Sequence, residues 1–181
     1  MLAIATITTN IIIVRNFPRG TPFDEYNDLM RIVIFDLTRY RTAYSFTLNK
    51  YNILTMESGL VSSRTTLGTY LDRLQFVMNG TFMENQREIT KIVLNYQEME
   101  DLVYLLNRLE FCRMPRRGEF PSVMSGHGNL WAAIFYFNRI HYGAMLEMGL
   151  SYTDSPDLGP LRDVVDKMIE LSGANINLRP R

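Results

Sequence analysis

Two histidines and a single cysteine are the side chains best suited to catalysis or metal binding in this 181-residue chain, and their spacing favours neither. His127 sits between glycines in Ser125-Gly126-His127-Gly128-Asn129, a loop that could present an imidazole beside a hydroxyl. A serine nucleophile needs its base oriented by a third group, yet no carboxylate lies close in sequence and no nucleophile-elbow pattern surrounds Ser125. A loop leading into the next helix is the simpler reading. His141 falls in an aromatic stretch and reads as a half-buried residue bonded to a neighbour. Cys112, beside Phe111, reads as a small core residue. One thiol excludes an internal disulfide framework and fits a reducing compartment, or a virus particle assembled in one. One cysteine, distant histidines and no run of EF-hand type leave no metal-ligand spacing. Neither a Walker A sequence nor a dinucleotide glycine pattern is present. Asn79-Gly80-Thr81 matches the glycosylation triplet but reads as a turn. No enzyme, cofactor or metal is therefore expected. Arg113, Arg116 and Arg117 form the densest basic cluster. Most simply they are a solvated loop, and as a site they would contact phosphate or an acidic partner.

The elements that must position any functional residue are clearest over residues 46–96. Thr47 can cap a short helix carrying Leu48, Tyr51, Leu54 and Ile53, which Gly59 ends. Ser62 and Ser63 offer caps for a second helix with Leu67, Tyr70, Leu71, Leu74 and Val77 on one face, ending at the turn Asn79-Gly80. Residues 81–96 alternate Ile89, Lys91 and Val93 against Thr90, Ile92 and Leu94, which predicts a strand of an antiparallel pair. Upstream, residues 24–41 place Tyr26, Leu29, Met30, Val33, Leu37 and Tyr40 at helical spacing, although Arg31-Ile32-Val33-Ile34-Phe35 is equally strand-like. Were that segment a strand, residues 39–48 would pair with it.

Helix, turn, longer helix and hairpin, carried by Ile53 to Gly59, by Arg64-Thr65-Thr66 with Tyr70-Leu71-Asp72-Arg73-Leu74, and by Gln86 to Tyr96, resembles the winged helix-turn-helix superfamily. The resemblance covers under a third of the chain. It implies that the second helix lies in a DNA major groove, with Ser62, Ser63, Arg64, Thr65 and Thr66 near base edges and phosphates, Arg73 further along, and Lys91 on the wing. Duplex binding draws most of its affinity from neutralised phosphates. Here Lys50, Arg64, Arg73, Arg87 and Lys91 stand against Glu57, Asp72, Glu84 and Glu88, so the unit is nearly neutral.

On either side of this unit the patterns are plainer. The first residues read as a β-branched strand rather than a signal peptide: Ile4, Thr6 and Thr8 alternate with Ala5, Ile7 and Thr9, and Ile11 to Val14 is apolar on both faces. Residues 97–112 form an amphipathic helix with Glu98, Glu100 and Asp101 in its first turn. Residues 129–149 are apolar almost all round, as in a central core helix or one that meets another subunit. A last helix starts near Ser155-Pro156 or Gly159-Pro160 and ends at Gly173. No stretch is long enough for a membrane-spanning helix. Nineteen basic and nineteen acidic side chains cancel, so nothing draws the whole chain toward nucleic acid or anionic lipid.

The expected fold is α+β and mostly helical, in three parts that could form one single domain: an N-terminal strand and loop (1–23), a winged unit (24–96) and a helical extension (97–181) packed on it. Two functions follow. The first is a non-enzymatic DNA-binding protein of regulator or replication-accessory type. The second is a structural or adaptor subunit of a phage particle or other assembly, meeting a partner or its own copies through Ile11, Ile12, Ile13, Trp131, Phe135 and Tyr142. Either would place the protein in the cytoplasm, or in a virion.

Overall fold

In the computed structural model, residues 11–13, 17–36, 41–62, 75, 77–108, 129–137, 140–148 and 159–176 are described. Eight strands, β1 (Ile11–Ile13), β2 (Phe17–Arg19), β3 (Asp28–Asp36), β4 (Thr42–Asn49), β5 (Ile53–Val61), β6 (Met83–Val93), β7 (Asn129–Phe137) and β8 (Ile140–Met148), form one sheet. Its order is β1-β6-β5-β4-β3-β7-β8, with β2 also pairing β6, and every pair is antiparallel. Two helices, α1 (Tyr96–Arg108) and α2 (Gly159–Ser172), pack on it. Strands drawn from all three expected parts of the chain thus lie in a single sheet.

The expectation of a mostly helical fold is overturned. Residues 28–36 are a strand and not the first helix of a winged unit, and β4 pairs with it, Ile32 opposite Phe46. The short helix expected after Thr47 is instead the end of β4, a tight hairpin and β5. The apolar run 129–149 is the β7–β8 hairpin. In β3 the reason is physical: a strand buried on both faces reads as a nearly continuous apolar run, and such a run satisfies a helical template as readily as a strand one. In β3, Met30, Ile32 and Ile34 fill one face while Arg31 and Val33 are buried on the other. The strand expected over residues 81–96 is present as β6. The first and last helices of the C-terminal half are present as α1 and α2, and Gly173 ends α2 at φ 67°.

The two faces differ in kind. On one, Met30, Ile32, Ile34, Phe46, Leu48, Leu54, Met56 and Ile92 meet Leu102 of α1 and Val164, Val165 and Met168 of α2. Each fully buried side chain of this size contributes roughly 1.5–3 kcal/mol, so this layer is the main source of stability. Asn95 starts α1 by a reciprocal cap: its Oδ1 accepts from the Glu98 N–H at 3.0 Å, and the Glu98 carboxylate accepts from the Asn95 N–H at 2.7 Å. Arg108–Asp163 at 3.4 Å and Lys167–Asp101 at 3.6 Å link the helices across an exposed rim, where such pairs contribute at most about 1 kcal/mol.

The other face buries polar groups: Arg31, Ser45, Thr47, Glu57 and Gln86. Phe23, Val77 and Phe82 are buried over it, on segments that reach it from both sides. Those segments are tied by the Phe23 N–H to Met78 carbonyl bond at 2.7 Å. They cross so closely that a Cβ on Gly80, at φ +72°, would lie 2.2 Å from the Gly20 carbonyl oxygen. Only glycine fits there.

Candidate functional site

Of the expected nucleic-acid contacts, Ser62 follows β5 and is buried, its N–H bonded to the Phe82 carbonyl at 2.9 Å and its hydroxyl to Glu84 at 2.7 Å. Lys91 is exposed on β6, opposite Thr55 on one side and Ile11 on the other. Ser63, Arg64, Thr65, Thr66 and Arg73 lie outside the described residues, as do Arg113, Arg116, Arg117, Cys112 and His127. Of the expected set, the described residues thus include only Ser62, just past the end of β5, and Lys91 within β6, with opposite exposure.

The buried polar face holds the molecule's most unusual electrostatics. Arg31 is 1% exposed; its Nε donates to the Thr47 hydroxyl at 2.9 Å, its Nη1 donates to the Val77 carbonyl at 3.0 Å, and its guanidinium lies 5.4 Å from the Phe23 ring centroid. Burial pulls its pKa below the ordinary arginine value, while the charges of Glu57 and Asp28 oppose that shift. Glu57 is equally enclosed. Its Oε1 accepts from Gln86 Nε2 at 2.6 Å, from the Thr21 N–H at 3.3 Å and from the Thr21 hydroxyl. Among the described residues its Oε2 and the Ser45 Oγ find no hydrogen-bond partner, and Ser45 stands directly across the β4–β5 ladder from Glu57. Sealed under Phe23, Val77 and Phe82, this cluster fastens the covering segments to the sheet, a positioning role.

A cleft of about 610 Å³ opens where α2 ends, lined by Thr42, Ser58, Thr90 and Arg87 together with the turn after Ser172. Among the described residues, neither histidine nor cysteine is in its wall. Among the described residues no group of three His, Cys, Asp or Glu side chains could hold a metal ion. Among them, too, no helix is long and apolar enough to cross a membrane.

The exposed chemistry gathers at the opposite end of the sheet, where the turn before β3, the β4–β5 hairpin and the β6–α1 junction meet. Tyr26 is 90% exposed, Tyr51 63% and Tyr96 77%, with Val93 beside them. Each tyrosine sits on a pinned backbone. Asp24 accepts from the Tyr26 N–H at 3.0 Å and from Asn27 Nδ2 at 2.6 Å, and the Asn27 bond leads in holding its carboxyl below the usual carboxylate range. Asn49 Oδ1 accepts from the N–H groups of Tyr51 and Ile53 at 2.9 and 3.0 Å. Lys50 ties the hairpin to the turn through its N–H to the Asn27 carbonyl at 2.8 Å, and its ammonium lies 5.2 Å from the Tyr51 ring centroid. Leu94 N–H to the Asn52 carbonyl at 2.9 Å joins the hairpin to the start of α1. Tyr96 donates its hydroxyl to Glu100, and this bond raises the phenol's pKa above its ordinary value. Sequence reasoning missed this patch because its members come from three separated turns. The signals available were the turn residues beside each tyrosine, Asp24, Asn49 and Asn95.

The expected partner residues fall at the sheet's margins. Ile11, Ile12 and Ile13 form β1 on one edge, Tyr142 is in β8 on the other, and Trp131 and Phe135 are in β7 next to it. No family model matches the chain, and no curated protein or solved structure matches it either.

Proposed function

We propose that this protein is a non-catalytic subunit or adaptor that works by binding another protein. The observation that carries the reading is the tyrosine-bearing end of the sheet. Tyrosine adds contact area with little rotamer entropy to lose, and a pinned backbone lowers that loss further. A lone exposed apolar residue is ordinary, but here three exposed tyrosines and a valine come from turns that backbone bonds join at one end of the sheet. Asp24, Glu25, Glu98 and Glu100 surround it, against Lys50 and Lys91. Its partner is accordingly a protein surface with apolar pockets and a basic rim. That acidic majority would repel phosphate, so this end does not suit a duplex. DNA contact through Arg64 and its neighbours is the rival reading, and it rests on the sequence resemblance.

Labelling of tyrosines with an iodinating reagent tests the proposal, comparing the isolated chain with the assembly purified from its native source. Tyr26, Tyr51 and Tyr96 are expected to react in the isolated chain and to be shielded in the assembly. Equal reactivity in both would remove the proposal. A fluorescence anisotropy titration with generic duplex DNA at low and moderate salt tests the rival, which requires a steep loss of affinity as salt rises.

A further inference from the structure

The two edges of the sheet are guarded unequally. One carries two three-residue strands, β1 and β2, too short to offer a long template, and β2, Phe17-Pro18-Arg19, adds a proline and a cation, residues that discourage edge-to-edge pairing. The other is β8, nine residues long with the sequence Ile-His-Tyr-Gly-Ala-Met-Leu-Glu-Met, without Pro, Lys or Arg. It pairs β7 along its whole length, and among the described residues no strand pairs on its outer side. In an antiparallel ladder only alternate residues direct their N–H and C=O groups to a given neighbour, so half of this strand's backbone groups face outward. Among the described residues no strand fills them.

We infer that β8 pairs with β8 of a second copy, antiparallel, about a two-fold axis at Ala144, so that two sheets become one. The argument is one of register. An isologous pairing sets each residue opposite its mirror position. With the axis at Ala144, position 141 faces 147 on both sides of the axis, and positions 142 and 146 face each other inside them. His141 and Glu147 are the only ionisable side chains with opposite charge tendencies in β8, and no other two-fold register places them opposite one another. Within the chain's own ladder, position 141 faces Tyr136 and position 147 faces Leu130, so neither has a charged cross-strand neighbour there. The second copy supplies one to each.

The same register continues the rows of the sheet. Positions 142, 144 and 146 stand opposite 135, 133 and 131 of β7, which in turn stand opposite Met30, Ile32 and Ile34, the row that α1 and α2 cover. A two-fold axis perpendicular to the sheet keeps that row on one side in both copies, so apolar positions meet apolar ones. Nine paired residues supply about eight to ten backbone hydrogen bonds, the usual source of affinity in strand addition.

This inference rests on the reading of the protein as an assembly subunit, and it names one contact of that assembly. Sedimentation velocity on the full chain at pH 6.5, where a free imidazole is about half protonated, is expected to show a monomer–dimer equilibrium. H141E sets Glu opposite Glu twice per dimer, and E147K sets Lys opposite His twice. Each is expected to weaken the dimer roughly ten-fold or more, from two pairs changed per dimer. The double variant H141E/E147K restores opposite charges in the reverse sense and is expected to return to within about three-fold of the wild type, the scatter of such pair energies. Circular dichroism checks that each variant is folded. Independently of any variant, amide exchange on the wild type is expected to protect both alternating sets of β8 amides at high concentration and only one set on dilution. A monomer at every concentration, single variants that dimerise like the wild type, or concentration-independent exchange in β8 would overturn the pairing. A monomer whose Tyr26, Tyr51 and Tyr96 are still shielded in the native assembly would sink the pairing alone and leave the adaptor reading in place.

Discussion

Arg31→Met probes whether the buried cation holds the covering segments on the sheet. Methionine keeps the apolar stem and removes both donors, leaving the Val77 carbonyl and the Thr47 hydroxyl without the bonds they receive at 3.0 and 2.9 Å. Hydrogen bonds to a charged group contribute about 1.5–3 kcal/mol each. Against them stands the desolvation that depresses the arginine's pKa, which the substitution relieves. What remains is a Glu57 carboxylate, 1% exposed, that has lost the nearby positive charge. The two lost bonds and the uncompensated carboxylate together should cost about 3–5 kcal/mol, a large part of the roughly 5–15 kcal/mol that holds a domain together. At about 2–4 °C per kcal/mol for a chain of this size, the melting temperature should fall by roughly 6–20 °C. The assay is thermal and urea unfolding followed by circular dichroism, on Arg31→Met, Glu57→Gln and the double variant. With both charges gone the fold has no uncompensated ion, so the double variant should be more stable than the two single losses predict, by at least about 1 kcal/mol. An Arg31→Met protein within about 0.5 kcal/mol of the wild type, the usual limit for an inert substitution, would refute the reasoning. So would losses that simply add.

Two further outcomes concern the same region. Gly80→Ala combines a left-handed backbone with a Cβ placed 2.2 Å from the Gly20 carbonyl oxygen, and should lower the unfolding free energy by about 2–5 kcal/mol; an unchanged urea midpoint would show that the two segments do not cross closely. Asp28 has its pKa raised, first by burial, with the Asp24 N–H bond and Arg31 acting the other way. A carboxyl whose folded pKa lies above its unfolded one is most favourable to the fold while protonated. That contribution is complete below the ordinary aspartate value of about 3.9 and is lost as pH rises through the raised folded value. Asp28→Asn should therefore gain melting temperature relative to the wild type between pH 3 and pH 7, a window chosen to bracket roughly that ordinary value, and a difference that does not change with pH would contradict the shift.

The sequence was legible where one face of an element is wet. In β6 the exposed Lys91 and Val93 alternate with buried Thr90 and Ile92, and α1 and α2 have polar faces, so their periods could be read. It was not legible where both faces are covered. The run Arg31 to Phe35 carries a charged residue that looks like a solvent-facing position and is instead 1% exposed, because the Thr47 hydroxyl and the Val77 carbonyl accept hydrogen bonds from its guanidinium. Glu57 misleads in the same way. Nothing local announces that residues 16 to 46 positions away will satisfy these groups. The tyrosine patch was hidden for the related reason that a surface built from three turns exists only once the strands between them have paired.

Arg31 and Glu57 also act as a reading-frame check on the sheet. Sliding β3 or β5 by one residue would turn these ions toward Leu102 and Met168 and bring out Ile32 or Met56 in their place, a penalty that falls on every slip by an odd number of residues and not on the correct pairing. Two costly buried charges thereby discourage face-inverted versions of strands whose apolar residues would otherwise tolerate them.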